Sequence, residues 1–538
     1  MNGSETEGTP SPPIRRKHGN GWWVALGVAV AVVIVVAVPL EWGHHASSPP
    51  PPPPPSFPTV NATFDGTNGS TTPLATGFLG VNVRADVAFT SSSGQILNST
   101  GARFVRWPGG GDGDRLDPLA NGDRGVIYSD SGGAVPANTT FAEFVRWCES
   151  VACHSVVTLP GEVDNASMAA AIVSYSETTL GFRPTYWEIG NEPAQWDHFG
   201  IPWSRWNATQ SVDPTPAEFA SLVQSYVRAI RAIDATTGII GLGGIGPTSL
   251  PTSDWITTTA SVDGPNLSAL AIHVYPAGTG FPASDLRDWY ATLTGHMSLP
   301  YRVPKTLGEM ASACPTCHLG LLVDEFQTGT SLTPANTLTG GYLATFVAAE
   351  LVQALPLPIE SVDYYNFQSG TAGAWLDPNG VSSPALVLYQ ALASDFGSFG
   401  VQLNVSSLGG GLLAAEGGTS AASLDNLLLV NINSTTGFRV DLSGFPDAAH
   451  GSAWVFNGSA SGPVTLPLNA VSARNWTVPP ASLVILMHVG AAGAVVPHSA
   501  PGPVEMIPPR GPPAGVRSGV FLSRDPSDVV ELQATPRR

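Results

Sequence analysis

Between residues 75 and 398, short apolar runs alternate with stretches whose apolar residues recur every three to four positions. FLGVNV (78–83), RFVRWP (103–108), HSVVTLP (154–160), TYWEIG (185–190), IIGLGG (239–244), LAIHVY (270–275), KTLGEM (305–310) and SVDYYNF (361–367) read as strands. FAEFVRWCESV (141–151), SMAAAIVSY (167–175), PAEFASLVQSYVRAIRAI (216–233), YLATFVAAELVQAL (342–355) and PALVLYQALASDF (384–396) read as helices. In 216–233 the period is clearest, with Phe219, Leu222, Val223, Tyr226, Val227 and Ile230 on one face. Eight β/α units in this length suit a (β/α)8 TIM barrel. A doubly wound sheet would want a Gly-rich phosphate turn after its first strand, and FLGVNVRADV has none.

After residue 399 the helical period disappears. VQLNV, LLAAE, NLLLVNIN, FRVDL, SAWVF, VTLPL and SLVILMHV are short strands punctuated by Gly, Asn, Ser and Pro, which predicts a β-sandwich over 399–490. TVNATF, within 59–74, is placed to add a strand to it. The fold class expected is therefore α/β, a barrel over 75–398 with a C-terminal β-sandwich.

The ends differ. Residues 22–40, WWVALGVAVAVVIVVAVPL, are uncharged and follow Arg15, Arg16 and Lys17. At 1.5 Å per residue the run spans about 29 Å, close to a bilayer core of about 30 Å. It reads as a transmembrane signal-anchor helix, with 1–21 cytoplasmic and the rest outside. A cleaved signal peptide is the alternative, but the run is long for one and no clear cleavage site follows. Residues 41–58 form a Pro-rich linker, in which Pro49 to Pro55 is a stiff polyproline spacer. Residues 491–538, rich in Pro, Gly and Ala and without periodicity, read as a disordered tail.

Charge narrows the function. The 538 residues carry a net charge of −18, with two lysines, Lys17 and Lys305, among 23 basic residues. Residues 1–40 and 491–538 each carry +1, so 41–490 carry −20. No nucleic-acid partner is expected, because a phosphate backbone needs a basic face. Beyond residue 40, 11 of 20 asparagines lie in N-x-S/T: Asn61, Asn68, Asn98, Asn138, Asn165, Asn207, Asn266, Asn404, Asn433, Asn457 and Asn475. That excess points to an exported glycoprotein, anchored to the membrane through its N-terminal helix. A monomer is expected.

In a (β/α)8 barrel, chemistry collects at the C-terminal ends of the strands. There stand Asn82, Arg106, Trp107, Asn191, Glu192, His273, Tyr275 and, on the strand read at 305–310, Glu309. Two carboxylates facing each other across a barrel mouth suit glycoside hydrolysis, in which one protonates the leaving oxygen and the other attacks. Pro193 predicts an extended backbone at Glu192. Counting by two from Glu192 leaves Glu188 inward and deeper, as a buried, paired carboxylate. The loop over 194–213 holds Trp196, Trp203 and Trp206, which could stack on sugar faces.

RFVRWPGG, YWEIGNEPAQW, AIHVYP and LGEMAS together resemble glycoside hydrolase clan A. Within it they are similar to the heparanase/β-glucuronidase family and the neighbouring arabinofuranosidase-like and xylosidase-like families. The resemblance spans roughly residues 60–490. It implies a retaining glycosidase acting on an extracellular oligo- or polysaccharide, with Glu192 as acid/base and Glu309 as nucleophile. It also implies Asn191 on the sugar 2-hydroxyl, Tyr275 and Arg106 supporting the nucleophile, and His273 on the sugar. LPGE (159–162) departs from the polar Asn-containing end common at that strand. The acidity favours a neutral or lightly charged glycan. A non-catalytic glycan-binding protein on the same barrel is the alternative.

The four cysteines are expected to form two local disulfides, Cys148 with Cys153 at the bottom of the barrel and Cys314 with Cys317 at its top. Cys314-Pro315-Thr316-Cys317-His318 also matches a haem-attachment pattern. No redox module accompanies it, and no cofactor or metal is expected.

Overall fold

The computed structural model describes residues 57–490 apart from 129–133, 163–165, 197–213, 245–251, 278–288, 330–337, 371, 408–409, 446, 449, 458–461 and 468–475. The segments read as cytoplasmic (1–21), membrane-spanning (22–40) and tail (491–538), and nearly all of the linker, lie outside the described residues. Among those described, no helix is long and apolar enough to cross a membrane.

Eight parallel strands close a barrel in chain order: Leu79–Asn82, Phe104–Trp107, His154–Leu159, Tyr186–Ile189, Gly238–Ile240, Ala269–Val274, Gly320–Phe326 and Val362–Tyr364. Strand alternation explains its interior. Phe104, Val156, Tyr186, Ile240, Ala271 and Leu322 pack together inside. Two residues further along the same strands come Arg106, Thr158, Glu188, His273 and Asp324, all buried. The interior therefore changes from apolar to ionisable towards the C-terminal mouth. Between them, Val105, Trp107, Val157, Trp187, Ile272 and Val323 point outward into the helical layer.

Seven of the eight strands lie where the sequence places them, and the seventh does not. Residues 305–310 belong to the helix Leu299–Ala313. Leu299, Arg302, Val303, Thr306 and Met310 are its buried face, a three-to-four spacing, and Pro300 sits in its first turn, where a missing N–H is harmless. The seventh strand is Gly320–Phe326, GLLVDEF.

Both local disulfides form, Cys148–Cys153 and Cys314–Cys317. Because Cys314 follows a helix and precedes a strand, the second pair lies at the N-terminal face of the barrel and not at its top. It uses both sulfurs of the haem-like pattern.

Leu116–Asp117, Val126–Tyr128 and Ala134–Pro136 pair as a small antiparallel sheet, and the other strands form one nine-stranded sheet in the order Val464–Pro467, Ser452–Asn457, Ser482–Met487, Ser423–Asn431, Leu412–Ser420, Phe399–Ser407, Thr59–Pro73, Gly437–Val440, Trp476–Val478. Thr59–Pro73 joins it as expected, antiparallel to Phe399–Ser407 and parallel to Gly437–Val440. The sheet folds over itself, so Ala453 and Leu486 from one end share a core with Phe438 and Val478 from the other. This is the β-sandwich. Helix Gly341–Ala354 is buried along nearly its whole length between barrel and sandwich. Of the eight described sequon asparagines, Asn61, Asn68, Asn98, Asn138, Asn266, Asn404 and Asn457 are exposed and Asn433 is half-buried, so none is closed to a glycan by burial.

Candidate active site

Arg106 organises the mouth of the barrel. It is fully buried, and its guanidinium donates from Nε to Glu188 Oε2 (2.6 Å) and from one terminal nitrogen to Asn82 Oδ1 (3.0 Å) and Glu325 Oε1 (2.6 Å). The other terminal nitrogen reaches Asn191 Oδ1 at 2.9 Å, and Nε lies 3.3 Å from Asp324 Oδ2. Burial opposes its charge, but Glu188, Asp324 and Glu325 outweigh that and hold its pKa well above the ordinary value. Burial would likewise raise Glu188, yet Arg106, with hydrogen bonds that include Thr158 Oγ1 at 2.7 Å, holds it below the usual range. Glu188 is thus the paired core carboxylate that the alternation predicts. Asp324 goes the other way. Burial, reinforced by Glu188 and Glu325, lifts it well above the carboxylate range despite Arg106.

Glu192 stands just past the fourth strand. Its backbone is left-handed (φ 46°, ψ 53°), not extended as Pro193 suggests. Local hydrogen bonds hold this costly conformation: Glu192 N donates to Gly243 O (2.9 Å), and Gln195 N donates to Glu192 O (2.8 Å). The neighbouring Asn191 N–H is anchored on Asp114 Oδ1 at 2.8 Å. The Glu192 carboxyl meets His273 Nδ1 through Oε1 (2.7 Å) and Gln195 Nε2 through Oε2 (3.2 Å).

The second carboxylate of the site is Glu325. Strict alternation after Leu322 turns Asp324 inward and Glu325 outward. A β-bulge overrides it: Ala271 pairs with Leu322 but His273 pairs with Glu325, so the seventh strand carries one extra residue there. Bulges re-aim side chains in this way. Glu325 Oε2 accepts from Tyr275 OH at 2.6 Å, and its Oε1 is the oxygen held by Arg106. Burial and the Glu325 charge raise Tyr275 well above the ordinary phenol value, which keeps it a hydrogen-bond donor.

Single donor atoms of Glu192, His273 and Glu325 lie within 4.8 Å of one another. The three form a hydrogen-bonded set with the Arg106 cation against Glu325, which opposes a further cation, so we do not read them as metal ligands. The spacing places a carboxyl oxygen of Glu192 within 4.8 Å of one of Glu325.

Of the sequence-predicted site residues, the structure brings together Asn82, Arg106, Asn191, Glu192, His273 and Tyr275. His273 contacts the Glu192 carboxyl itself. Glu309 is excluded. It sits on the helix Leu299–Ala313, ion-paired at 2.8 Å with Lys305 one turn earlier. Trp107 points away from the mouth and stacks on Phe141 and Phe144 at 5.5 and 4.8 Å, because its neighbour Arg106 takes the inward position. Trp196 is no exposed sugar platform but is 2% exposed, bonded through Nε1 to Asn191 O and packed edge-on to Phe219. Trp203 and Trp206 lie outside the described residues. Glu162, from the departing LPGE segment, is buried and with burial pushes Asp114 well above the carboxylate range.

Sequence reasoning missed Glu325, Asp324, Thr158 and Asp114. GLLVDEF was itself a sufficient signal for the first two: an apolar run of strand length ending in two acids.

No protein-family model matches the chain, and no curated protein matches it. Solved structures do. The α-L-arabinofuranosidase of Thermotoga maritima superposes with a TM-score of 0.59 at 13% identity, covering 80% of this chain and 99% of that one. The family 51 arabinofuranosidase of Xanthomonas axonopodis pv. citri gives 0.59 at 15%, with the same two coverages of 80% and 99%. The family 44 xyloglucanase of Paenibacillus polymyxa gives 0.57 at 13%, covering 80% and 99%. The chain shares the fold of these glycoside hydrolases. At such identity the likeness carries the barrel and sandwich, not the substrate.

Proposed function

We propose that the protein is a retaining glycoside hydrolase in which Glu325 is the nucleophile and Glu192 the acid/base. One observation carries this reading: two carboxyls from the fourth and seventh strands, with an oxygen of each within 4.8 Å of the other. Retaining enzymes keep their pair about 5–5.5 Å apart, whereas inverting enzymes need about 6.5–9.5 Å to admit a water. The surroundings assign the roles. Glu325 accepts hydrogen bonds from Arg106 and Tyr275, which orient its carboxyl for attack on an anomeric carbon. Glu192 has no arginine or lysine on it among the described residues; its carboxyl meets His273 Nδ1 and Gln195 Nε2.

In the first step Glu325 attacks the anomeric carbon while Glu192 gives its proton to the departing oxygen. In the second, Glu192 takes a proton from water, which displaces Glu325 with net retention. Asn191 and Asn82, both fixed by Arg106, offer polar contacts to the sugar.

The substrate is a neutral or lightly charged extracellular glycan. Among the described residues, Arg84 beside the mouth is already paired with Asp112 (3.3 Å) and Asp86 (3.4 Å), and Arg106 faces three carboxyls. Neither is left to neutralise a polyanion. The anchored, outward-facing placement rests on residues 22–40, the exposed sequons and two disulfides of a kind suited to an oxidising compartment.

The test is hydrolysis of a panel of aryl glycosides, including α-L-arabinofuranosides and β-D-xylosides, by wild type and Glu325→Gln. Turnover by wild type alone, with the first-formed sugar keeping its anomeric configuration by NMR, supports the reading. Equal inactivity on every substrate leaves the glycan-binding alternative.

A further inference from the structure

We propose that Asp324 is a positioning residue for the acid/base step: its carboxyl sets the tautomer of His273, and so decides which oxygen of Glu192 carries the catalytic proton. This rests on the roles proposed above for Glu192 and Glu325.

His273 is fully buried among three carboxyls. Nδ1 faces Glu192 Oε1 at 2.7 Å and Glu325 Oε2 at 3.4 Å. Nε2 faces Asp324 Oδ1 at 3.5 Å, the long edge of hydrogen-bond reach. A bare Nδ1 would aim its lone pair at two acidic oxygens, one on the ionised nucleophile. The hydrogen therefore belongs on Nδ1. That leaves Nε2 bare and buried, in need of a donor.

Asp324 Oδ1 answers that need. Neither Nε2 nor Oδ1 has another hydrogen-bond partner among the described residues. The groups around Asp324 are His273 on the adjacent sixth strand, Arg106 and Glu188 reaching across the barrel interior from the second and fourth strands, and Glu325 on its own strand. Its raised pKa fits a carboxyl that keeps its hydrogen and can donate it. Arg106 lies on the Oδ2 side, which leaves Oδ1 for the proton. Glu188 is the competitor for that proton: its Oε2 is served by Arg106 and Thr158, but its Oε1 has no other partner among the described residues, so the choice between Glu188 Oε1 and His273 Nε2 is what the experiment below decides. Gly244 fixes the imidazole from the far side, for a Cβ there would come within 2.1 Å of Nε2.

The consequence falls on Glu192. With Nδ1–H donating to Oε1 at 2.7 Å, against the longer 3.2 Å contact from Gln195 Nε2 to Oε2, Oε1 is the stronger acceptor and the acid proton rides on Oε2. When Oε2 has given its proton away, the same Nδ1–H steadies the new carboxylate. Orientation of one group by a hydrogen bond to the other ring nitrogen is the ordinary way a tautomer is set.

The test is ¹⁵N NMR of the full chain with labelled histidine, His273 assigned by loss of its signals in His273→Gln. Wild type should show a neutral ring with Nδ1 protonated and Nε2 bare near neutral pH. Asp324→Asn, whose amide can still donate, should keep that pattern. Asp324→Ala should lose it, giving mixed tautomers or Nε2–H. An Nε2–H ring or an imidazolium in wild type overturns the proposal, and that measurement needs no Asp324 variant to fold. So does an unchanged Nδ1–H signal in Asp324→Ala. The spectrum requires no substrate, so failure of the glycosidase reading would show separately, in the hydrolysis panel.

Discussion

Tyr275 OH and Glu325 Oε2 lie 2.6 Å apart, joining the ends of adjacent barrel strands across a bulge. Removing that hydroxyl should leave the barrel intact and the nucleophile less well held. A hydrogen bond to a charged group is worth about 1.5–3 kcal/mol, so kcat/KM of Tyr275→Phe should fall roughly ten- to hundred-fold. Steady-state kinetics beside a thermal melt would check it. A melt shifted as strongly as the rate would mark Tyr275 as structural.

Glu325→Gln and Glu309→Gln should behave oppositely. The first removes the proposed nucleophile and should abolish turnover, with a lowered Tm as well because Glu325 is buried against Arg106. The second breaks an i,i+4 pair worth about 0.3–0.5 kcal/mol and removes a charge that favours Arg302, and should keep wild-type kinetics. Normal turnover by Glu325→Gln would remove the mechanism.

Arg106 carries stability as well as chemistry. Replacing it with Met would leave Glu188, Asp324 and Glu325 around a buried site with no cation. Breaking a buried pair by removing one partner costs about 3–5 kcal/mol. Urea unfolding should show a lowered midpoint of about that size, partly restored at low pH, where the carboxyls take up protons.

Glu350 makes a prediction away from the site. On the helix between barrel and sandwich it is 1% exposed, neither oxygen has a hydrogen-bond partner among the described residues, and burial raises it from 4.5 to about 8. From pH 4.5 to 8 the unfolded chain sheds this proton and the folded chain keeps it. Its contribution to stability therefore falls as pH rises, by about 1.4 kcal/mol per unit through that window. Glu350→Gln should raise Tm at pH 7.5 and make little difference near pH 4. A Tm difference that does not change with pH would contradict the buried, unpaired state.

The barrel was legible because its strands obey a period of two and its helices a period of 3.6. Period two also placed Glu188 inward, and Asn191 and Glu192 followed from the end of the same strand. Trp107 was misread for want of the same rule, since two successive residues cannot both face inward. KTLGEM misled because six residues cannot separate a strand from one face of a helix. The longer run from Leu299 to Ala313, with Pro300 at its start, shows the helical spacing.

The sequence by itself therefore determined the barrel, the sandwich, the disulfide partners and one of the two carboxylates. Those follow from local periodicity, short loops and the position of a strand end. Only the tertiary structure decided the second carboxylate. Glu325 faces the mouth because one extra residue bulges against His273, and alternation along its own strand would have turned it away. Likewise burial, with Glu188 from a strand 136 positions away and Asp324's own neighbour Glu325, raises Asp324 well above the carboxylate range. Register and desolvation belong to the packed assembly, where each strand is read against the next.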